Sequence, residues 1–266
     1  VWGITLVKDE VDLIEITLRH QLDQGLDAVI VADNGSTDGT TELLGRLSTE
    51  LPLFVTSDAW SAHYQGVKMS LLASMARSAG ADWIVPFDAD ELWFARRGTV
   101  AELLKTSQDS IVTAELHNLF PLDDRPPGDE VAYRLDLTPS PFQKMSFRTH
   151  ALATIADGNH YVVRPGARAA GLIVAHLPWR SFVQMRRKAT QGARALGGTY
   201  LPTGFGTHWR ALAELDQAAL ERCWASVIDG RPVEGLAWSP VGPFVEVSAL
   251  SWDRWDPASQ LDRPVG

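Results

Sequence analysis

Short apolar runs alternate along this chain with segments of helical spacing, the pattern of an α/β fold. Ile4, Thr5, Leu6 and Val7 read as a strand; Val11, Ile14, Leu18 and Leu22 follow near helical spacing, and Gly25 stops that helix. The apolar run from Ala28 to Ala32 is a second, buried strand. Strand, helix and strand in this order form a βαβ unit, so the first strands are expected to be parallel with a right-handed crossover. A third strand is predicted over residues 53–56 and a long helix over 65–78, with Val67, Leu71, Leu72 and Met75 on its inner face and Gly80 at its end. A fourth, buried strand begins at Trp83. Further on, the pattern predicts a short helix at 100–104 and strands at 110–116, 144–148, 151–155 and 171–175, of which 144–148 and 151–155 pair. A basic helix spans 181–196 and carries Arg186, Arg187 and Lys188, and another helix holds Leu212, Leu215, Leu220 and Trp224. Residues 123–129 are polar and Pro-rich, which predicts a mobile flap or a loop on the substrate side.

The polar residues that matter sit where these strands end. Asp9 and Glu10 follow the first strand, Asp33 opens the turn-rich stretch after the second, and Asp88 and Asp90 follow the fourth. Ligands of such sheets lie beyond the carboxyl ends of the strands, so these acids are expected to converge on one crevice. Asp88 and Asp90 are spaced i, i+2, and in extended chain they face the same way. Two carboxylates so placed repel unless a cation sits between them. Mg²⁺ and Mn²⁺ prefer such oxygen ligands and complete their shells with substrate phosphates. The other reading of the same residues is a solvated strand end. In the turn-rich stretch, Thr37 or Asp38 is placed to cap the following helix, and Asp33 either meets a ligand or shapes an Asx turn.

Taken together, Lys8-Asp9-Glu10, the block Asp33-Asn34-Gly35-Ser36-Thr37-Asp38-Gly39-Thr40 and the block Phe87-Asp88-Ala89-Asp90-Glu91 resemble the family 2-type glycosyltransferases of the GT-A fold. The nearest branch has Lys-Asn/Asp-Glu near the first strand and Asp-x-Asp-Glu after the fourth. His176-Leu177-Pro178-Trp179-Arg180-Ser181, with Lys188 and Gly192 downstream, is similar to that branch's His-Tyr-x-x-x-Ser stretch. Leu177 stands where an aromatic is usual, which puts the wall beside that histidine in question. The resemblance covers roughly residues 3–195.

The resemblance implies a mixed, mainly parallel Rossmann-like sheet flanked by helices. It implies a transferase domain over 1–197, with a nucleotide half at about 1–95 and an acceptor half at about 96–197, and a small Trp-rich extension at 198–266 packed on it. The activity implied is metal-dependent transfer of a sugar from a UDP- or GDP-linked donor to a hydroxyl of a saccharide or glycosylated small molecule. Asp90 is the implied ligand of Mn²⁺ or Mg²⁺, His176 completes its shell, and Asp88 holds the metal, its water or the ribose. Val7, Asp9, Glu10 and Asp33 match positions that meet the base or ribose, and Lys144, Arg180 and Lys188 match phosphate contacts. An inverting transferase also needs a base. Glu91, Glu115, Asp123, Asp124 and Asp157 are available, with Glu91 and Asp124 carried forward, while a retaining mechanism would need none. His160, the loop after Asn118 and the Trp-rich tail are expected on the acceptor side, although packing is the expected role of most of Trp209, Trp224, Trp238, Trp252 and Trp255.

Composition narrows the alternatives. With 266 residues and 45% hydrophobic content, the chain can bury one large domain. A net charge of −9 disfavours nucleic acid and anionic membranes as partners. A single cysteine, Cys223, excludes an intrachain disulfide and reads as a buried apolar residue. No run reaches the ~20 apolar residues of a membrane span, and no signal peptide is visible, so a cytoplasmic protein is expected, with a homodimer open. A haloacid-dehalogenase-type phosphatase also uses Asp-x-Asp, but on its first strand and with Thr or Val where Leu92 stands here. No Gly-x-Gly-x-x-Gly follows a strand, which disfavours a nicotinamide enzyme. A sugar-binding module of the same fold without catalysis stays open.

Overall fold

The computed structural model describes residues 1–60, 64–128, 131–197, 211–247 and 256–261. Its first half is the predicted βαβ array. The strands are β1 (Trp2–Val7), β2 (Ala28–Asp33), β3 (Leu53–Ser57) and β4 (Trp83–Pro86), joined through α1 (Ile14–Asp23), α2 (Thr40–Leu47) and α3 (Gln65–Ser78). β1 pairs in parallel with β2 and with β4, and β2 with β3, so the acids at these strand ends share one edge of the sheet.

The second half extends the same sheet with mostly antiparallel pairings, apart from the parallel pair of its two longest strands. It contains β5 (Glu91–Ala95), α4 (Val100–Thr106), β6 (Ile111–Pro121), β7 (Tyr133–Asp136), β8 (Lys144–Arg148), β9 (Thr154–Ile155), β10 (Val162–Val163), β11 (Arg168–His176) and α5 (Phe182–Gly197). The described part of the C-terminal stretch adds α6 (Gln217–Ile228), β12 (Phe244–Val247) and α7 (Pro257–Leu261). The strand order is β12-β7-β6-β8-β4-β1-β2-β3, with β11 alongside β6 and β5 alongside β11. Thus β12 closes one edge of the sheet by pairing with β7. Leu220, Trp224 and Val227 of α6 pack with Phe120, Trp179 and Met185 in one apolar cluster. Trp209, Trp252 and Trp255 lie outside the described residues.

Strand β5, absent from the sequence reading, exposes a backbone edge that α1 covers. Among the described residues β5 pairs with β11 alone, and its other edge turns carbonyls towards the helix. The Thr17 hydroxyl donates to the Ala89 carbonyl at 2.6 Å, the Gln21 amide to Glu91 O at 3.0 Å, and His20 Nε2–H to Trp93 O at 2.7 Å. Residues at i, i+3 and i+4 of one helix face thereby meet carbonyls at i, i+2 and i+4 of an extended segment. All three side chains are buried, so each bond satisfies groups that water does not reach.

Three expectations are corrected. In α3 the buried residues are Gly66, Met69, Leu72, Ala73 and Ala76, whereas Val67 and Leu71 are each 63% exposed and Met75 44%. The helix approaches its neighbours too closely for large side chains: a Cβ on Gly66 would lie 2.5 Å from Ile155 O. Small residues make that face, and they carry little weight in a hydrophobic pattern. Residues 144–148 do pair, but with β4 and β6, while residues 154–155 pair with β10. Long-range pairing in the middle of the sheet prevails over the nearer hairpin. The helix read through Leu212 and Leu215 is broken, because Asp216 accepts a bond from Ala219 N–H at 2.7 Å and starts α6 afresh.

Burial of His20 sets a stability prediction. Removal from water pushes its imidazole down to about 4, against the bond to the Trp93 carbonyl, which favours the charged ring. The unfolded chain therefore takes up this proton first as pH falls below about 6.5. The contribution of neutral His20 is complete above about pH 6.5 and is lost progressively down to about pH 4, by ~3 kcal/mol in all. In urea titrations, the stability advantage of the parent over His20→Gln should shrink across that window. Parallel pH profiles for the two proteins would contradict the assignment.

Candidate active site at the carboxyl ends of the parallel strands

A cleft of about 820 Å³ opens where β1, β2 and β4 end. Val7, Lys8, Glu10 and Asn34 line one side, Asp88, Asp90 and Glu91 form the floor, and Lys144, His176 and Lys188 close over it. The far wall comes from Asn118, Asp136, residues 138–142, His160 and Trp238. The parallel half and the antiparallel half, with a contribution from the C-terminal stretch, therefore build one cavity.

The floor is a set of buried carboxylates matched by cations. Lys144, at the start of β8, directs its ammonium to Asp88 Oδ2 at 2.7 Å, Glu91 Oε1 at 2.6 Å and the Gly158 carbonyl at 2.6 Å. The ammonium donates to Asp88 and to the Gly158 carbonyl and forms an ion pair with Glu91. Burial would lower the lysine's affinity for its proton, but Asp88 and Glu91 outweigh burial and hold its pKa above the ordinary value. Glu91 is fully buried; burial pushes its carboxyl above the ordinary range, against the pull of Lys144. Its second oxygen takes the Asp88 N–H at 3.2 Å and the Trp93 indole N–H at 3.4 Å. Glu91 thus clasps the turn between β4 and β5. Asp88 also accepts from Gln65 at 2.8 Å and Asn159 at 2.9 Å, which fixes its orientation.

Asp90 is matched differently. Burial opposes its charge, but Lys188, His176 and Arg180 hold its carboxyl well below the usual range. The Lys188 ammonium bonds directly to Asp90 Oδ2, between the rings of Trp179 at 6.0 Å and Trp238 at 5.8 Å. His176 Nε2 lies 3.7 Å from the same oxygen, and its Nδ1 lies 2.9 Å from Asn118 Oδ1. The amide oxygen only accepts, so Nδ1 carries the hydrogen. Burial lowers the His176 pKa, which favours the neutral ring. Asp90 opposes that shift by favouring the charged ring, in which Nε2 donates towards the carboxylate. A cation that took the place of that proton would meet Asp90 Oδ2 and His176 Nε2 together.

A divalent ion fits this donor set in part. Asp90 and His176 supply one oxygen and one nitrogen, and Mg²⁺ or Mn²⁺ takes its remaining ligands from water and phosphate oxygens. Among the described residues no group of three or more His, Cys, Asp or Glu side chains forms a cage.

The other candidates divide between the cleft and its support. Val7 and Glu10 line the cleft; Asp9, Asp33, Asp124 and Arg180 do not. Asp9, at φ 56°, accepts from Thr37 N–H at 2.6 Å and from Gln191. Asp33 accepts from Ser36 N–H at 3.0 Å, the Ser36 hydroxyl at 2.6 Å and Thr41, the bonding of a turn-shaping residue. Arg180 is fully buried and forks onto Asp12 at 2.9 and 3.0 Å, with Glu10 beside it, which ties α5 to the loop after β1. Asp124 accepts from Phe182 N–H at 2.8 Å at the start of α5. Asp38 accepts from Thr40 N–H at 3.1 Å and meets Arg187 at 3.2 Å, but the N-cap of α2 is Gly39, so neither Thr37 nor Asp38 caps that helix.

Sequence reasoning missed Gln65, Asn118, Asp136 and Asn159. Asp136 accepts from Thr138, Val241 and Gly242 backbone N–H groups and anchors the segment that brings Trp238 to the cleft. None of these residues belongs to a motif. Asn118 alone carried a cue, as a polar residue inside an apolar strand.

No family model matches the chain, and no curated protein matches it. Among solved structures, S. aureus TarS 1–349 is similar at 12% identity, over 86% of this chain and 78% of that chain, with a TM-score of 0.43. The same protein in complex with UDP-GlcNAc gives 14% identity over 80% and 70% at TM-score 0.45, and in complex with UDP 13% over 86% and 80% at 0.43. Likeness this distant assigns neither activity nor ligand to this chain.

The Lys144 clasp generates a second prediction. Removing one partner of a buried pair leaves the other charge uncompensated, at a cost of about 3–5 kcal/mol. Lys144→Met should lose stability on that scale in urea denaturation, and Glu91→Gln in the same chain should restore part of it. Independent, additive losses from the two substitutions would show that Lys144 and Glu91 do not act as a pair.

Proposed function

We propose that this chain is a glycosyltransferase that uses a UDP- or GDP-linked sugar and Mn²⁺ or Mg²⁺. The observation that carries the reading is the placement of Asp90 Oδ2 and His176 Nε2, 3.7 Å apart, at the carboxyl ends of a parallel sheet. The motif resemblance supplies the reaction class, and the cleft of about 820 Å³ has room for a nucleotide with its sugar.

In this reading Asp90 and His176 hold the ion, which supplies neutralisation of the diphosphate as it departs. Asn118 fixes the His176 tautomer from behind. Lys188, a cation on the cleft wall, stands beside the same charge and is the candidate for a direct phosphate contact. Val7, Glu10 and Asn34 line the end of the cleft proposed for base and ribose. Asp88 is oriented by three donors and faces the sugar side. Glu91 positions Lys144 and the turn that carries Asp88 and Asp90. The acceptor proposed is a saccharide or a glycosylated small molecule. A net charge of −9 supports an acceptor other than nucleic acid. Among the described residues no helix is long and apolar enough to cross a membrane.

Asp90→Ala should abolish Mn²⁺-dependent binding of UDP and GDP, a loss of at least 100-fold by calorimetry, with the fold retained by circular dichroism. His176→Ala should weaken the metal-dependent part about 10–100-fold, the range for disturbed metal shells. In the parent, protonation of His176 competes with the metal, and since burial lowers that pKa the loss of affinity should begin below about pH 6.5. An Asp90→Ala protein that binds either nucleotide with Mn²⁺ as tightly as the parent would contradict the proposal. Metal-dependent binding without turnover of any nucleotide sugar would favour a binding module instead.

A further inference from the structure

A second pocket, of about 440 Å³, lies against the first and shares part of its wall. Residues 139–142 and His160 line both cavities. Glu115, Gln143, Met145 and Tyr161 line only the second. The ligand of one pocket is therefore separated from the ligand of the other by a single layer of side chains.

The lining has a defined chemistry. Phe142 is 59% exposed and Tyr161 47%, with the Arg168 guanidinium over the Tyr161 ring at 4.7 Å. The Phe142 ring leans on the His160 ring at 5.2 Å with 35° between planes, which fixes the orientation of both. His160 Nδ1 donates to the Gln143 carbonyl at 3.1 Å, leaving Nε2 as an acceptor in the neutral ring. Burial and the nearby Lys144 push His160 down to about 4, so the ring is neutral at pH 7. Gly158 is required beside it: a Cβ there would stand 2.7 Å from Nε2, and φ is +77°. Around these rings stand a hydroxyl (Ser140), an amide (Gln143) and a carboxylate (Glu115). Among the described lining residues none is Lys or Arg.

Flat apolar faces beside neutral and acidic hydrogen-bonding groups suit a ring that is apolar on its faces and hydroxylated on its rim. They do not suit a phosphate, a sulfate or a lipid tail. We propose that this second pocket is the acceptor subsite and that it takes the ring of a neutral saccharide. The Phe142 ring meets a C–H face of that sugar, the edge of Tyr161 borders it, and Gln143, Ser140 and Glu115, the last also paired with Arg96 at 2.6 Å, meet its hydroxyls. The shared wall explains the arrangement: a sugar held there reaches the donor sugar only past Phe142 and His160, at the end of the cleft where Asp88 and Lys144 lie. In the transfer the acceptor O–H bond breaks, its oxygen bonds to the donor's anomeric carbon, and the diphosphate leaves with the electron pair of the broken C–O bond. The released proton goes to solvent or to a cleft base.

The assignment rests on the transferase reading for the word acceptor, but saccharide binding can be read by itself. The full chain is titrated, with and without UDP or GDP plus Mn²⁺, with a panel of neutral mono- and disaccharides of glucose, galactose, mannose and N-acetylglucosamine. Saturation-transfer NMR reports which sugar protons touch the protein. The expected result is binding of at least one sugar through its ring C–H protons, weakened at least tenfold in Tyr161→Ala and in Gln143→Ala. Both positions are solvent-exposed and lie outside the nucleotide cleft, so nucleotide affinity should be unchanged in these variants. Asp90→Ala should show the reverse, losing nucleotide and retaining sugar. Failure of every sugar to bind the parent, or binding by both pocket variants equal to the parent's, would overturn the subsite. Sugar binding that survives in a parent unable to bind any nucleotide would uphold the saccharide site and overturn the transferase reading alone.

Discussion

Asp88, Asp90 and Glu91 lie within one turn at the floor of the cleft, and Asp90 and Glu91 are almost wholly withdrawn from water. Two unit charges about 4 Å apart repel by roughly 4 kcal/mol at an effective dielectric constant near 20. The turn between β4 and β5 is therefore untenable unless cations come to it. They come from far along the chain: Lys144 from β8, Arg180 from the segment after β11, and Lys188 from α5. Each is itself fixed by further contacts, Lys144 by the Gly158 carbonyl and Arg180 by Glu10 and Asp12. The need to compensate this charge joins the parallel half of the sheet to the antiparallel half.

The two compensations differ in kind. Lys144 is buried among Asp88, Glu91 and the Gly158 carbonyl, a structural clasp. Lys188 is partly exposed and held by Asp90, by the Pro178 carbonyl at 3.4 Å and by two aromatic rings, with His176 beside it. A cation on the open side of the cleft can be exchanged for another. The fixed clasp shapes the site, and the exchangeable one is where a ligand's charge can enter.

Much of the first half was legible in the sequence because local pattern and tertiary contact agree there. Continuous apolar strands such as Ala28–Asp33 are buried on both faces and leave no choice of structure. The acids at β1 and β4 could be placed in one crevice from topology alone. What escaped depends on contacts distant in sequence. The inner face of α3 is made of Gly66, Ala73 and Ala76 because a neighbouring backbone comes close, and nothing in α3 itself records that approach. Strand β5 reads as a tail of the metal-like motif, and its edge is satisfied by Thr17, His20 and Gln21, polar residues that look like a solvent face in a helix read alone. Asp33 and Arg180 carried the right chemistry for a ligand, yet their bonds here go to the protein's own turn and acids. Residue type identifies a capability, and only the fold decides on what it is spent.

In the function proposed, a divalent ion sits between Asp90 and His176, and Lys188 holds its place. This placement is tested most directly by anomalous scattering at the manganese edge from crystals of the full chain grown with Mn²⁺ and UDP or GDP. The account predicts a single strong peak within coordination distance of Asp90 Oδ2 and His176 Nε2, phosphate oxygens on its open side, and the Lys188 ammonium moved off Asp90 towards the diphosphate. Bound nucleotide with no manganese at that position, and Lys188 still on Asp90, would contradict it.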